Sequence, residues 1–277
     1  MLTYKFMQIA FAVCLLLGLA LPLVGGFAIY RRLSSSGDAL AHSSLAGVAI
    51  GLASGLSPLL MSIIACIIAF LIIDFLRKRF NKFSEIGVAI VLSASIGLAG
   101  ILSSFTKANN FDAYLFGSIL TVTDTELLVT IVLTFAILAF TIAFYPSIFS
   151  ALYNEDEAKI DGVKTSAISF MMDLLLSLTI AIGSKVVGSL VVSSLVVLPT
   201  AIALQLKKGY KTTMFFSVFF SILSMLLGLI AAYYLDLKPG ATIVMVAIAF
   251  LLLLSLGRLG VLLIRRKKMA KDEKTRV

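Results

Sequence analysis

Pro58-Leu59-Leu60-Met61-Ser62-Ile63-Ile64-Ala65-Cys66-Ile67-Ile68-Ala69-Phe70-Leu71-Ile72-Ile73 decides the class of this chain. The run carries no charge and is closed by Asp74 and the basic cluster Arg77-Lys78-Arg79. A helix needs about 20 mainly apolar residues to cross a bilayer, and the window 58–76 has that length and that chemistry. Working outward, eight similar windows follow, at 6–29, 39–55, 86–104, 126–146, 165–183, 186–205, 212–234 and 241–263. They are separated by turn and charge signals: Arg31-Arg32, Ser57-Pro58, Arg77 to Lys82, Tyr145-Pro146 through Lys164, a break at Lys185, Lys207 to Lys211, and Lys238-Pro239-Gly240. The reading is an all-α, polytopic transmembrane bundle of about nine spans, eight to ten being compatible with the length.

Composition agrees. Of 277 residues, 60% are hydrophobic and 13% charged, and mean hydropathy is +1.10; a soluble domain has about 45–50% apolar and about 25% charged residues. No room remains for a large domain outside the membrane, which excludes a soluble enzyme or a nucleic-acid binder. Residues 1–264 form the expected membrane domain, with a basic tail at 265–277. The run Phe6–Tyr30 is longer than a signal-peptide core and reads as a retained first span. Cys14 and Cys66 lie within apolar runs, where thiols act as small hydrophobes.

The net charge of +9 is placed, not spread. One alternate set of loops, with the tail, holds 18 Lys and Arg; the opposite set holds 4, namely Lys5, Lys107, Lys185 and Lys238. By the positive-inside rule the N-terminus lies outside and the C-terminus in the cytoplasm, where the tail meets anionic lipid headgroups.

Polar groups within spans are costly and mark function. In Gly37-Asp38-Ala39-Leu40-Ala41-His42, Asp38 and His42 are four apart, hence one turn apart on one helix face. His42 is the only histidine. A carboxylate and an imidazole are half of a site for a divalent transition metal, and two copies of the chain would supply four ligands. The competing reading makes Asp38 the cap of a helix starting at Ala39. Ser43, Gly47, Gly51 and Gly55 recur every four residues as a small-residue stripe for close helix packing. The interval Asn154 to Lys164 is the longest polar stretch before the tail. Its Glu157-Ala158, followed by Gly162, reads either as a short helix ended by glycine and offered to a cytoplasmic partner, or as a solvated loop. Asp74 is within reach of Arg77 or Lys78; Asp173 has no partner near it in sequence. No phosphate-binding Gly-x4-Gly-Lys-Ser/Thr and no His-Glu-x-x-His motif occurs, so the chain does not hydrolyse ATP through a phosphate loop and has no zinc-protease motif.

Gly37-Asp38-Ala39-Leu40-Ala41-His42 with Gly47-Val48-Ala49-Ile50-Gly51 resembles the signature of metal-type ABC importer permeases, which serve zinc, manganese and iron uptake. The likeness extends through Arg31-Arg32, Ala113-Tyr114-Leu115-Phe116-Gly117-Ser118, Glu157-Ala158 with Gly162, and Val186 to Pro199. It implies a homodimeric, non-enzymatic permease in a bacterial plasma membrane, bound to cytoplasmic ABC ATPase subunits and fed by an extracellular metal-binding lipoprotein. It further implies that Asp38 and His42 face the metal pathway and that Glu157, Ala158 and Gly162 contact the ATPase (the coupling loop, about 150–164). No cofactor is held permanently; the metal is cargo. Ala46, where many manganese permeases have proline, is similar to the zinc type. The alternatives are a manganese or iron permease of the same family, or an ion-coupled secondary transporter.

Overall fold

A computed structural model describes residues 4–80, 84–105, 114, 115, 117 and 122–274, with backbone only from 259 onward. Among these every regular element is helical. The bounded helices are α1 (Lys5–Tyr30), α2 (Ser34–Ser54), α3 (Pro58–Phe80), α4 (Ser84–Ser103), α5 (Asp124–Ala143), α6 (Tyr145–Tyr153), α7 (Glu155–Ile160), α8 (Thr165–Val187), α9 (Ser189–Leu204), α10 (Tyr210–Leu235) and α11 (Pro239–Lys274). Each of the nine apolar windows overlaps one of the helices α1 to α5 and α8 to α11, and α6 and α7 fill the interval between the fifth and sixth windows. Lys82, Lys107 and half of the 113–118 motif (residues 113, 116 and 118) lie outside the described residues.

Among the described residues seven helices are long and apolar enough to cross a membrane: α1, α3, α4, α5, α8, α10 and α11. The other two windows behave differently. α9 has 16 residues, about 24 Å at 1.5 Å per residue, and α2 is too polar to face lipid. Both are interior elements. α2 packs against α3, α4, α8 and α9, while α1 packs against α5, α8, α9 and α10. Burial follows that order: 61% of the apolar window is buried in α1 and α8, against 22% in α11. The core therefore sits around α1, α2, α8 and α9, and the outer helices turn isoleucine, leucine and phenylalanine outward.

Three boundaries differ from the sequence reading, each for a local reason. α2 starts at Ser34, five residues early, because the Ser34-Ser35-Ser36 run continues the helix instead of breaking it. α8 passes through Lys185, which pairs with the buried Glu126 of α5; the break comes at Gly188, whose φ of 106° suits glycine. α11 runs on through the basic tail to Lys274, since Arg, Lys, Met and Ala are all good helix formers.

Candidate functional site

α1 and α2 join through a corner with no slack. The N–H of Leu33 donates to Ala28 O (2.7 Å) and that of Arg32 to Ile29 O (2.9 Å), the paired bonds of a Schellman turn. Arg32 takes the left-handed position at φ 60°, which glycine usually fills. Leu33 is already the residue that starts α2, its carbonyl accepting from Ser36 N (3.0 Å). Because α2 begins at Ser34, Asp38 lies in the second turn of the helix and caps nothing. The cap reading of Asp38 is overturned.

α2 is polar yet buried, and neighbouring helices satisfy it. The Ser43 hydroxyl donates to Ala39 O (2.7 Å) and pairs with Ser95 of α4 (2.7 Å). Ser44 pairs with Ser62 of α3 (2.8 Å) and with Ser184 of α8. The Cys66 thiol of α3 donates to Leu40 O (3.3 Å). Hydroxyls bridging helices in this way are the polar adhesive of membrane bundles. Gly47 and Gly51 supply close approach: a Cβ on Gly47 would fall 2.4 Å from Met61 O, and one on Gly51 2.8 Å from Pro58 Cα. Gly55 acts otherwise. It ends α2 at φ 73°, and a Cβ there would meet nothing within 4 Å.

Between Ser36 and Ala49 every residue of α2 is buried except Asp38 and His42. Asp38 is exposed, His42 partly so, and neither forms a hydrogen bond or ion pair with a described residue. The helix thus presents one carboxylate and one imidazole, a turn apart, out of an otherwise sealed face. Among the described residues of one chain no third His, Cys, Asp or Glu joins them. A single copy holds two donors, fewer than a four-ligand transition-metal site needs.

At the end bearing Arg31 and Arg77, α6 carries Tyr145, Phe149 and Tyr153, and Tyr145 and Phe149 pack on Tyr210, as does Tyr30. α7 follows at once. The Asn154 side chain accepts from the N–H groups of Asp156 (3.2 Å) and Glu157 (3.4 Å), capping its start. Its end is a second Schellman turn: Val163 N donates to Ala158 O (2.9 Å) and Gly162 N to Lys159 O (3.1 Å), with Gly162 at φ 80°. Ala158 is fully buried and seats α7 on the body; Glu157 and Gly162 are exposed, and Ile160 stands 85% exposed. The 154–164 stretch is therefore an ordered knob and not a loose loop.

Sequence reading missed an ionic cluster behind that knob. Arg31 Nη2 meets Glu155 Oε2 (3.4 Å), Arg77 Nη1 meets Asp173 Oδ2 (3.1 Å), and Lys78 pairs with Asp74 (2.7 Å). These six line a cavity of about 400 Å³ between α1, α3, α7 and α8. The other oxygen of Glu155 holds Lys159 (3.1 Å), which raises the lysine's pKa above its ordinary value. Asp74 beside a basic cluster was legible as an i,i+4 pair. Arg77 with Asp173, 96 residues apart, leaves no local signal except that an intramembrane aspartate requires a partner.

The family model described as the ABC 3 transport family matches residues 3–258. The chain is 38% identical over 91% of its length to a Treponema pallidum "Probable metal transport system membrane protein", covering 96% of that chain. It is 31% identical over 80% of its length to the high-affinity zinc uptake system membrane protein ZnuB of Buchnera aphidicola (86% of that chain). It is 28% identical over 97% of its length to the manganese transport system membrane protein MntC of Listeria innocua (97% of that chain). Among solved structures it resembles PsaBC from Streptococcus pneumoniae in complex with Fab, with TM-score 0.81, 28% identity, and 91% and 92% of the two chains covered. An all-helical bundle with seven helices able to span, matched over nearly its whole length, thus belongs to the ABC 3 transport family and is a multi-pass permease subunit of the bacterial plasma membrane, not an enzyme.

Proposed function

We propose that this permease imports a divalent transition metal, zinc in first place, as a homodimer driven by cytoplasmic ATPases. The observation that carries the reading is the isolation of Asp38 and His42 as the two unburied side chains on the otherwise buried 36–49 stretch of α2. Two copies meeting at this face supply two carboxylates and two imidazoles. That donor set suits zinc or manganese, and without thiolates it releases an ion more readily than a structural site would. The zinc and manganese systems named among the relatives support the class of cargo, and Ala46 favours zinc over manganese.

Transport follows as alternating access. Closure of the ATPases moves the knob at Glu157, Ala158 and Gly162, and the cavity between the two copies changes the side to which it opens. An extracellular metal-binding lipoprotein delivers the ion. The N-terminus faces outside, the membrane domain spans 1–264, and the 265–277 tail lies against cytoplasmic headgroups. The test is ATP-dependent uptake of Zn²⁺ and Mn²⁺, compared directly, by the complex reconstituted in proteoliposomes. Zinc uptake that exceeds manganese uptake is expected; the reverse order transfers the cargo to manganese, and no uptake of either ion refutes import of these metals.

A further inference from the structure

We propose that Arg31 is the positioning residue through which movement of α7 reaches α2, by way of its pair with Glu155. The inference rests on the import reading for its purpose, though not for its geometry. Glu155 is the first residue of α7, and its two oxygens are divided: Oε1 holds Lys159 of the same helix and Oε2 holds Arg31. The carboxylate therefore travels with α7. Arg31 is the residue that closes α1, three positions before α2 begins.

What makes this a joint is the corner at Arg31 to Leu33. Its backbone donors are committed to α1, its left-handed position is held by Arg32 instead of glycine, and Leu33 is shared by both turns. A displacement at Arg31 has no flexible link in which to dissipate before α2. Downstream, α2 is one continuous helix to Ser54, so its second and third turns, with Asp38 and His42, shift with its start. The guanidinium is also well placed to move without losing all support. It lies over the Phe27 ring at 5.7 Å, its buried Nη1 has no partner, and Arg31 and Asp173 line the same cavity. The pair is open to water on the Glu155 side, with 43% of that side chain exposed. Such pairs add little to stability, so its value lies in linkage.

The test uses the permease–ATPase complex in proteoliposomes with Ser35→Cys, an exposed position on α2; Cys14 and Cys66 are buried. The rate of maleimide labelling is compared without nucleotide and with ATP plus vanadate. The parent should show an ATP-driven change in rate. Arg31→Gln and Glu155→Gln should each abolish that change and lower uptake of Zn²⁺ and Mn²⁺ about tenfold, a typical loss of coupling, while ATP hydrolysis and co-purification persist. The exchanged pair, Arg31→Glu with Glu155→Arg, should restore both. An ATP-driven labelling change that survives in the single variants, or that the exchange fails to restore, overturns the proposal, as does a parent in which α2 labelling ignores ATP. If Arg31→Gln fails to reach the membrane, Glu155→Gln, at a half-open position, decides. Labelling that responds as expected while neither ion moves leaves this joint standing and refutes the cargo.

Discussion

Asp38 and His42 form no hydrogen bond or ion pair with a described residue and are the unburied positions of the 36–49 stretch, so their loss should separate function from stability. Exposed side chains without partners change stability by no more than about 0.5 kcal/mol on substitution. Asp38→Asn keeps shape and removes charge; His42→Ala removes the imidazole nitrogen. Both variants should therefore unfold at nearly the parent temperature in detergent and lose ATP-dependent zinc uptake. Transport by Asp38→Asn at the parent rate would leave the charge without a use. Gly162 poses the complementary case. A Cβ there meets nothing within 4 Å, so its requirement is the backbone angle of φ 80°. Gly162→Val should cost about 1–2 kcal/mol in the turn and release the ATPase, whereas Gly162→Asn, which accepts the left-handed region, should retain it. Co-purification of an active ATPase with both variants alike would show that the turn is not a contact.

At the scale of the element, the small-residue stripe divides into two kinds of glycine. Gly47→Leu forces α2 from α3 and should destabilise by about 1–3 kcal/mol, read by thermal unfolding; Gly55→Asn, at a left-handed cap with open space, should sit within about 0.5 kcal/mol of the parent. Equal effects would mean that α2 and α3 do not meet closely enough at Gly47 for a side chain there to collide with Met61 O. The sequence distinguishes these glycines poorly, since a four-residue repeat marks a face without saying where the helix ends. It does better with long helices, because a span imprints its length and hydropathy on every residue it contains. The start of α2 was hidden because serine serves caps and turns as readily as helix interiors; Ser34-Ser35-Ser36 reads as a break, although Leu33 is the residue that starts the helix. Pairings such as Arg77 with Asp173 and Lys185 with Glu126 depend on how helices are arranged around one another, which local pattern does not encode.

For the whole molecule, the clustering of Lys and Arg is the strongest global signal and gives a direct test. Lys208, between α9 and α10, and Lys238, between α10 and α11, are both exposed. In intact cells Lys238→Cys should react with an impermeant maleimide and Lys208→Cys should be protected. The opposite pattern would invert the orientation.

The polar, interior character of α2 also bears on how the chain is made. Among the described residues α2 is not one of the seven helices apolar enough to cross alone, and the interhelical partners of Ser43, Ser44, Gly47 and Gly51 all lie later in the chain. Insertion of α2 by the translocon should then wait for α3 and proceed as a hairpin, with Gly55 to Pro58 as its bend. A nascent chain arrested when α2 but not α3 has cleared the ribosome should leave α2 open to protease, and one arrested after α3 has also cleared should protect it. Equal protection at both lengths would show that α2 enters the membrane unaided.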